Sequence, residues 1–212
     1  MLPDRDSQTY AEAVLTGEFG VSRETLERLR AYSELLAHWQ KTTNLVAPST
    51  LANLWTRHIL DSAQLLLLAP QARTWLDLGS GGGLPGLVLA CQLAESGGSI
   101  DLVESNSKKA AFLRHVVVTL QLPARVHAER IETALPRLAK PDVVTARALA
   151  PLSDLIDFSK QLLKSGTTGL FPKGRDHAAE LTEAGQHWHF SYRLHASRTD
   201  PGARIIEITA LS

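Results

Sequence analysis

Cysteine is almost missing from the 212 residues: Cys91 stands alone, so no intrachain disulfide can form, as expected of a protein kept in a reducing cytosol. A secretory leader is not apparent, since the opening MLPDRDSQTY puts acids where a signal peptide needs bases and an apolar core. The apolar run Leu65 to Pro70 is far too short to span a bilayer. No low-complexity tract or fixed-period repeat is visible. Net charge is lacking too, with 22 Lys/Arg against 22 Asp/Glu, which excludes a protein coated in positive charge for bulk nucleic-acid binding. The charge is nevertheless uneven. Residues 105–130 hold five Lys/Arg against one Asp/Glu, and residues 140–175 hold six against three. Such stretches are ordinarily solvated helix faces, yet they can also meet a phosphate backbone over a limited footprint.

What is present is an ordinary globular composition, 44% apolar and 21% charged, long enough for one domain or one domain with an appendage. Residues 8–40 carry apolar side chains at helical spacing (Leu26, Leu29, Tyr32, Leu35, Leu36, Trp39), with Ser22 as a candidate N-cap. Ser49 or Thr50 is expected to cap a second helix running to about Ala69, where Pro70 closes it. From there strand and helix patterns alternate. Strands are expected at 74–79, 99–105, 124–130, 141–149 and 167–174, and helices at 84–94, 107–122 and 152–163. Alternation of this kind predicts a parallel sheet covered on both faces. The tail reads as a hairpin, "WHFSYRLHAS" and "ARIIEITAL" around the turn signal "RTDPG". The expected architecture is therefore α/β: a helical extension over 1–70, and over 71–212 a doubly wound, mostly parallel sheet with an antiparallel hairpin at its edge, the whole a single compact unit.

The stretch with the most to say is "WLDLGSGGGLPG" (75–86), a buried-strand pattern that breaks into nearly bare backbone. A phosphate-binding P-loop is excluded, because Leu87 and Val88 stand where lysine and Ser/Thr are required. A dinucleotide fingerprint fits formally from Gly81, as G-G-G-L-P-G, but starts two residues late and sets Pro85 in the turn. The third reading starts at Asp77, acid-x-Gly-x-Gly-x-Gly, with Glu104 closing the second strand 27 residues on. A carboxylate at that second strand end accepts ribose hydroxyls, and one at the first strand end meets an ammonium group. Together they suit a cationic nucleoside that carries an amino acid and no phosphates, S-adenosylmethionine. The plain alternatives are that Asp77 caps a helix and that Glu104 is a solvated strand end.

"NLVAPS" (44–49), "RHILDS" (57–62), "LDLGSGGGLPG" (76–86), "VESNSKKAAFL" (103–113), "TARALAPL" (145–152) and "FPKG" (171–174) follow one another in this order. Taken together they closely resemble RsmG, also called GidB, the bacterial family of small-subunit ribosomal RNA guanine-N7 methyltransferases. The glycine string alone would indicate only a Rossmann-like class I methyltransferase; its pairing with "RHILDS" and "RAL…KG" is far more specific. The resemblance covers most of residues 20–175, while the N-terminal twenty residues and the hairpin match loosely.

The resemblance implies a cytoplasmic enzyme that methylates N7 of a guanine in 16S ribosomal RNA, free or in the small subunit, with S-adenosylmethionine as cofactor. Its motif positions imply cofactor contacts at Gly79 and Leu84, Glu104 and Ser105, Ile131 and Glu132, and Arg147, to which the residues themselves add Asp77 and Gly81. Arg147, a charge among apolar neighbours at a strand end, is either functional or paired with Asp77 or Glu104. Candidate RNA contacts are Arg57, His58, Arg147 and Lys173, although a solvated turn lysine is the plain alternative for the last. His58 and Asp61 share a helix face at i, i+3; two ligands do not make a metal site, and a hydrogen-bonded pair is expected. No metal and no general base are expected, and a monomer is the default. The competing functions are a small-molecule methyltransferase with the same cofactor site, a nicotinamide dehydrogenase using the Gly81 register, and a non-catalytic RNA-binding relic of the fold.

Overall fold

The computed structural model describes residues 7–212; the first six, on which the reading of the leader partly rests, lie outside the described residues. Helices α1 (Gln8–Gly17) and α2 (Arg23–Trp39) form where one long helix was expected. Ser22 caps α2 as its sequence position suggests, accepting the Thr25 N–H at 3.0 Å. The stretch after Pro48 departs from expectation. A 3-10 helix covers Pro48–Asn53 with Ala47 as its N-cap, so neither Ser49 nor Thr50 caps a helix; the Thr50 hydroxyl instead donates to Ala47 O at 2.8 Å. A π-helical segment follows over Trp55–Leu60, then the short α3 (Asp61–Ala63) and α4 (Leu65–Leu68). Widening the helix over 55–60 lets Trp55, Ile59 and Leu60 stay buried while His58 also turns inward.

The remainder alternates as β1 (Thr74–Leu78), α5 (Gly86–Ser96), β2 (Ser99–Val103), α6 (Ser107–Thr119), β3 (Ala124–His127), α7 (Ile131–Ala134), β4 (Val143–Thr145), α8 (Leu152–Lys164), β5 (Thr168–Lys173), α9 (His177–His187), β6 (Phe190–Ala196) and β7 (Arg204–Leu211). The sheet order is β3-β2-β1-β4-β5-β7-β6, with β1 to β5 parallel. Chain order reverses between β1 and β4, which is where sheets of this kind bind ligands. The hairpin forms, and its second strand is the one that docks: β7 pairs antiparallel with β5 and carries β6 on its outer side. Helix α9 has no counterpart in the sequence reading, since Ala184 is its only buried residue and leaves no apolar stripe to recognise.

Side chains alternate across the strands and build two cores. Trp75 faces the layer made by α2, the 55–60 segment, α5 and α6, where Leu29, Tyr32, Leu36, Ile59, Val88 and Phe112 pack together. Leu76 and Leu78 face the layer of α8 and α9, with Leu155, Ile156 and Ile206. The N-terminal helices thus share one apolar cluster with the sheet. Cys91 lies in that cluster, and burial pushes its thiol up to about 12.

Candidate active site

After β1 the chain turns through Gly79–Pro85 into α5. Gly79 adopts φ +67, and a Cβ there would stand 2.5 Å from Leu149 Cδ1. At Gly86 an added Cβ would meet Leu102 Cδ2 at 2.4 Å and Asp77 Oδ2 at 2.5 Å, so any side chain would lift α5 off the sheet. The loop is held from both sides: the Ser80 N–H donates to Val103 O of β2 at 3.0 Å, and the buried Tyr32 hydroxyl of α2 donates to Gly82 O at 2.6 Å. Its remaining side is open, for at Gly81 an added Cβ would meet nothing nearer than Gly79 O at 3.7 Å.

Asp77 sits beneath this loop rather than at an open strand end. It is completely buried; its Oδ2 accepts the Gly86 N–H at 3.2 Å and its Oδ1 has no partner among the described residues. The expected direct contact with a ligand ammonium is therefore not what the geometry provides, and the helix-cap alternative is the one observed. Burial raises its carboxyl to about 7, against the pull of the hydrogen bonds it receives.

Glu104 is largely buried and acts as a clamp. Its Oε2 accepts the Gly81 N–H at 2.8 Å and its Oε1 the Asn106 N–H at 2.7 Å. Asn106 in turn caps α6 through the Lys108 and Lys109 N–H groups. Each carboxylate oxygen keeps a second lone pair after these bonds. Ser105 is exposed beside it, Leu84 is buried in the glycine loop, and Ile131 and Glu132 open α7 just past β3. The residues nominated for cofactor contact therefore follow the adjacent strands β3, β2, β1 and β4 on one edge of the sheet.

Arg147, just past β4, meets neither Asp77 nor Glu104. Its Nη2 donates to His58 Nδ1, its Nε stands 3.7 Å from Asp61 Oδ2, and its buried Nη1 has no partner among the described residues. His58 Nε2 lies 2.8 Å from Thr50 Oγ1, which with the arginine on Nδ1 assigns a neutral ring that donates to Thr50. Burial, then Arg147 and Arg57, lower this imidazole to about 4. The expected direct His58–Asp61 pair does not form, because the widened helix separates them and Arg147 enters between. Asp61 reaches further, to the turn between β6 and β7: its Oδ1 accepts the Thr199 hydroxyl at 2.7 Å. Gln64 joins the same turn by accepting the Arg198 N–H at 2.9 Å. Sequence reasoning missed Gln64, Ser197 and Thr199; the one available signal was a glutamine set in the apolar run around Leu65.

Lys173 ends β5 on the same edge, but it is engaged within the fold. Its side chain is only 8% exposed, and its ammonium donates to Ala150 O at 2.7 Å and pairs with Glu180 Oε2 at 2.6 Å, the oxygen that also accepts the Leu152 N–H. These bonds pin the 147–152 segment, in which Ala148 adopts φ +54 and Leu149 covers Gly79. A lysine so held is a fastener of the loop rather than a free phosphate contact.

A cleft of about 900 Å³ opens beside this segment, between the π-helical stretch with Arg57 and Asp61, the 147–151 loop and the β6–β7 turn. Residues of the basic stretch 140–175 line it, and none from 105–130 does, so of the two stretches only one flanks the cleft.

The family model described as rRNA small subunit methyltransferase G matches residues 25–202. The chain belongs to this family. It is 55% identical over 193 residues to the ribosomal RNA small subunit methyltransferase G of Methylobacterium radiotolerans, covering 91% of this chain and 92% of that one. It is 54% identical to the protein of the same name from Brucella canis, covering 90% of each. Among solved structures, an O-methyltransferase from Streptomyces achromogenes in complex with SAM superposes with a TM-score of 0.61 at 13% identity, covering 99% of this chain and 100% of that one. An O-methyltransferase from Bacillus cereus in complex with SAH gives 0.59 at 14% identity, covering 95% and 97%. At those identities the likeness establishes the Rossmann-like methyltransferase fold, and membership of the rRNA small subunit methyltransferase G family rests on the sequence matches.

Proposed function

We propose that this protein transfers the methyl group of S-adenosylmethionine to N7 of a guanine in 16S ribosomal RNA. The observation that carries the reading is the glycine loop, open at Gly81 and tied to a carboxylate on the next strand, in a chain of the rRNA small subunit methyltransferase G family. The residues present fit the cofactor. Bare backbone at Gly81 leaves room for a flat nucleoside, while the space over Gly79 is taken by Leu149. Glu104 retains lone pairs for the ribose hydroxyls, and Leu84, Ser105, Ile131 and Glu132 would border the nucleoside. Arg147 brings an Nη1 that is unpaired among the described residues, for the acceptor groups of a ligand. Asp77 supports from below, through Gly86. S-adenosylmethionine supplies an electrophilic methyl group when bound.

Guanine N7 carries an in-plane lone pair, so it attacks without losing a proton and no general base is required. What the chain contributes is alignment of nucleophile and methyl group. The neutral His58 beside Arg147 fits this, since it holds the guanidinium in place and moves no proton. The target base must leave its stack to reach the site, which favours a single-stranded or looped RNA.

Titration calorimetry with S-adenosylhomocysteine and, separately, NAD tests the cofactor. Binding of the first alone is expected. Binding of NAD alone would restore the Gly81 register and a dehydrogenase.

A further inference from the structure

We propose that the turn between β6 and β7, together with Arg175, forms the wall of the 900 Å³ cleft that grips the RNA backbone beside the target guanine. The inference rests on the RNA-methyltransferase reading and adds to it a binding surface, at residues outside the family motifs considered above. The cleft brings together Arg57 on one side and Arg175, Arg198 and Arg204 on the other. Of the three acids that line it among the described residues, Asp61 faces Arg147 and Thr199 and Glu180 pairs with Lys173; Asp200, which accepts the Gly202 N–H at 2.8 Å, keeps its charge and stands alone against the four arginines.

Arg175 is exposed and makes no ion pair or hydrogen bond among the described residues, and its stem packs on Gly202, where an added Cβ would stand 2.9 Å from Arg175 Cγ. Arg198 pairs with Glu18 at 3.0 Å with both side chains more than half exposed, a contact weak enough for a phosphate to displace. Its guanidinium also lies 5.4 Å from the Phe19 ring, which aims it.

The turn is fastened rather than loose. Asp61 and Gln64, more than 130 residues away in sequence, hold Thr199 Oγ1 and Arg198 N. Because Asp61 also faces Arg147, the wall of the cleft and the arginine at the site share one support. A backbone held by this wall would place a flanking nucleotide at a fixed distance from Arg147, which is what alignment at N7 needs.

The test measures binding of a labelled single-stranded fragment of small-subunit rRNA to the intact protein with S-adenosylhomocysteine present, across a salt series. The Arg175→Gln/Arg198→Gln variant is expected to bind about tenfold more weakly at low salt. The slope of log affinity against log salt should fall by about 1.4, or 0.7 for each lost phosphate contact. Its affinity for S-adenosylhomocysteine and its melting temperature should match the unmutated protein, and in turnover the effect should appear in KM for RNA rather than in kcat. The comparison variant Lys108→Gln/Arg114→Gln, on the basic face of α6, should behave as the unmutated protein. An unchanged slope for the cleft variant, or its loss in the α6 variant instead, overturns the proposal. If the slope effect appears but the unmutated protein transfers no methyl group, the cleft stands and the enzymatic reading falls.

Discussion

Glu104→Gln weakens binding of S-adenosylhomocysteine by about a hundredfold, roughly 3 kcal/mol. The carboxylate accepts two backbone N–H groups at once, from Gly81 at 2.8 Å and Asn106 at 2.7 Å. Glutamine has one oxygen and one amide, so one of those N–H groups would face another donor. A lost hydrogen bond to a charged acceptor is worth about 1.5–3 kcal/mol, and the amide facing the orphaned, part-buried N–H adds a repulsive donor–donor contact. The ribose hydroxyls would lose their charged acceptor as well. Calorimetry reads the change directly, and circular dichroism shows whether the fold is intact. Equal affinity in a folded variant would remove Glu104 from the cofactor site.

Opposite pH dependences emerge when His58 and Asp77 are changed singly. The Asp77 carboxyl is raised from 3.8 to about 7 by burial, so the folded chain keeps a proton that the unfolded chain releases. Its contribution is full below about pH 4 and is lost as pH rises through 7, about 4 kcal/mol in all. His58 is lowered from 6.5 to about 4, chiefly by burial and then by the positive charges of Arg147 and Arg57. Its contribution is full above about pH 6.5 and is lost as pH falls through 4, about 3 kcal/mol. Between pH 4 and 7 the two slopes oppose each other. Asp77→Asn should therefore lose stability steeply on acidification from pH 6.5, whereas His58→Gln should lose it as pH rises from 4 to 7. Urea midpoints at pH 4.5, 5.5 and 7 separate the cases. Parallel profiles for the two variants and the unmutated protein would contradict both assignments.

The elements with strong apolar patterns were legible in the sequence. The parallel strands and α2, α5, α6 and α8 lie about where apolar patterning put them, although β3 and β4 are shorter than expected, 124–127 against 124–130 and 143–145 against 141–149, because the chain turns away from the sheet after His127 and Thr145. Helix α9 was not legible, since it buries little. Nor was the π-helical stretch at 55–60, whose apolar spacing also satisfies an ordinary α-helix. At the site, the glycine loop announced itself by composition, and Glu104 by its place after a strand. The roles of Asp77 and Lys173 depended on tertiary placement: one lies under its loop as a cap and the other is held by Glu180 from α9, an element the sequence did not reveal. The contact of Asp61 and Gln64 with a turn more than 130 residues distant left one local hint, a glutamine beside an apolar run, and nothing in the sequence to name its partner.

The most direct measurement of the central claim is the position of the transferred methyl group. Purified protein is incubated with labelled S-adenosylmethionine and 16S ribosomal RNA, both protein-free and in small subunits. The RNA is then reduced and treated with aniline, which cleaves the strand at N7-methylguanine. A single new scission at one guanine, dependent on the cofactor and abolished by Glu104→Gln, is the predicted result. Label in the RNA without scission would place the methyl group on another atom, and label confined to small molecules would contradict the assignment of RNA as substrate.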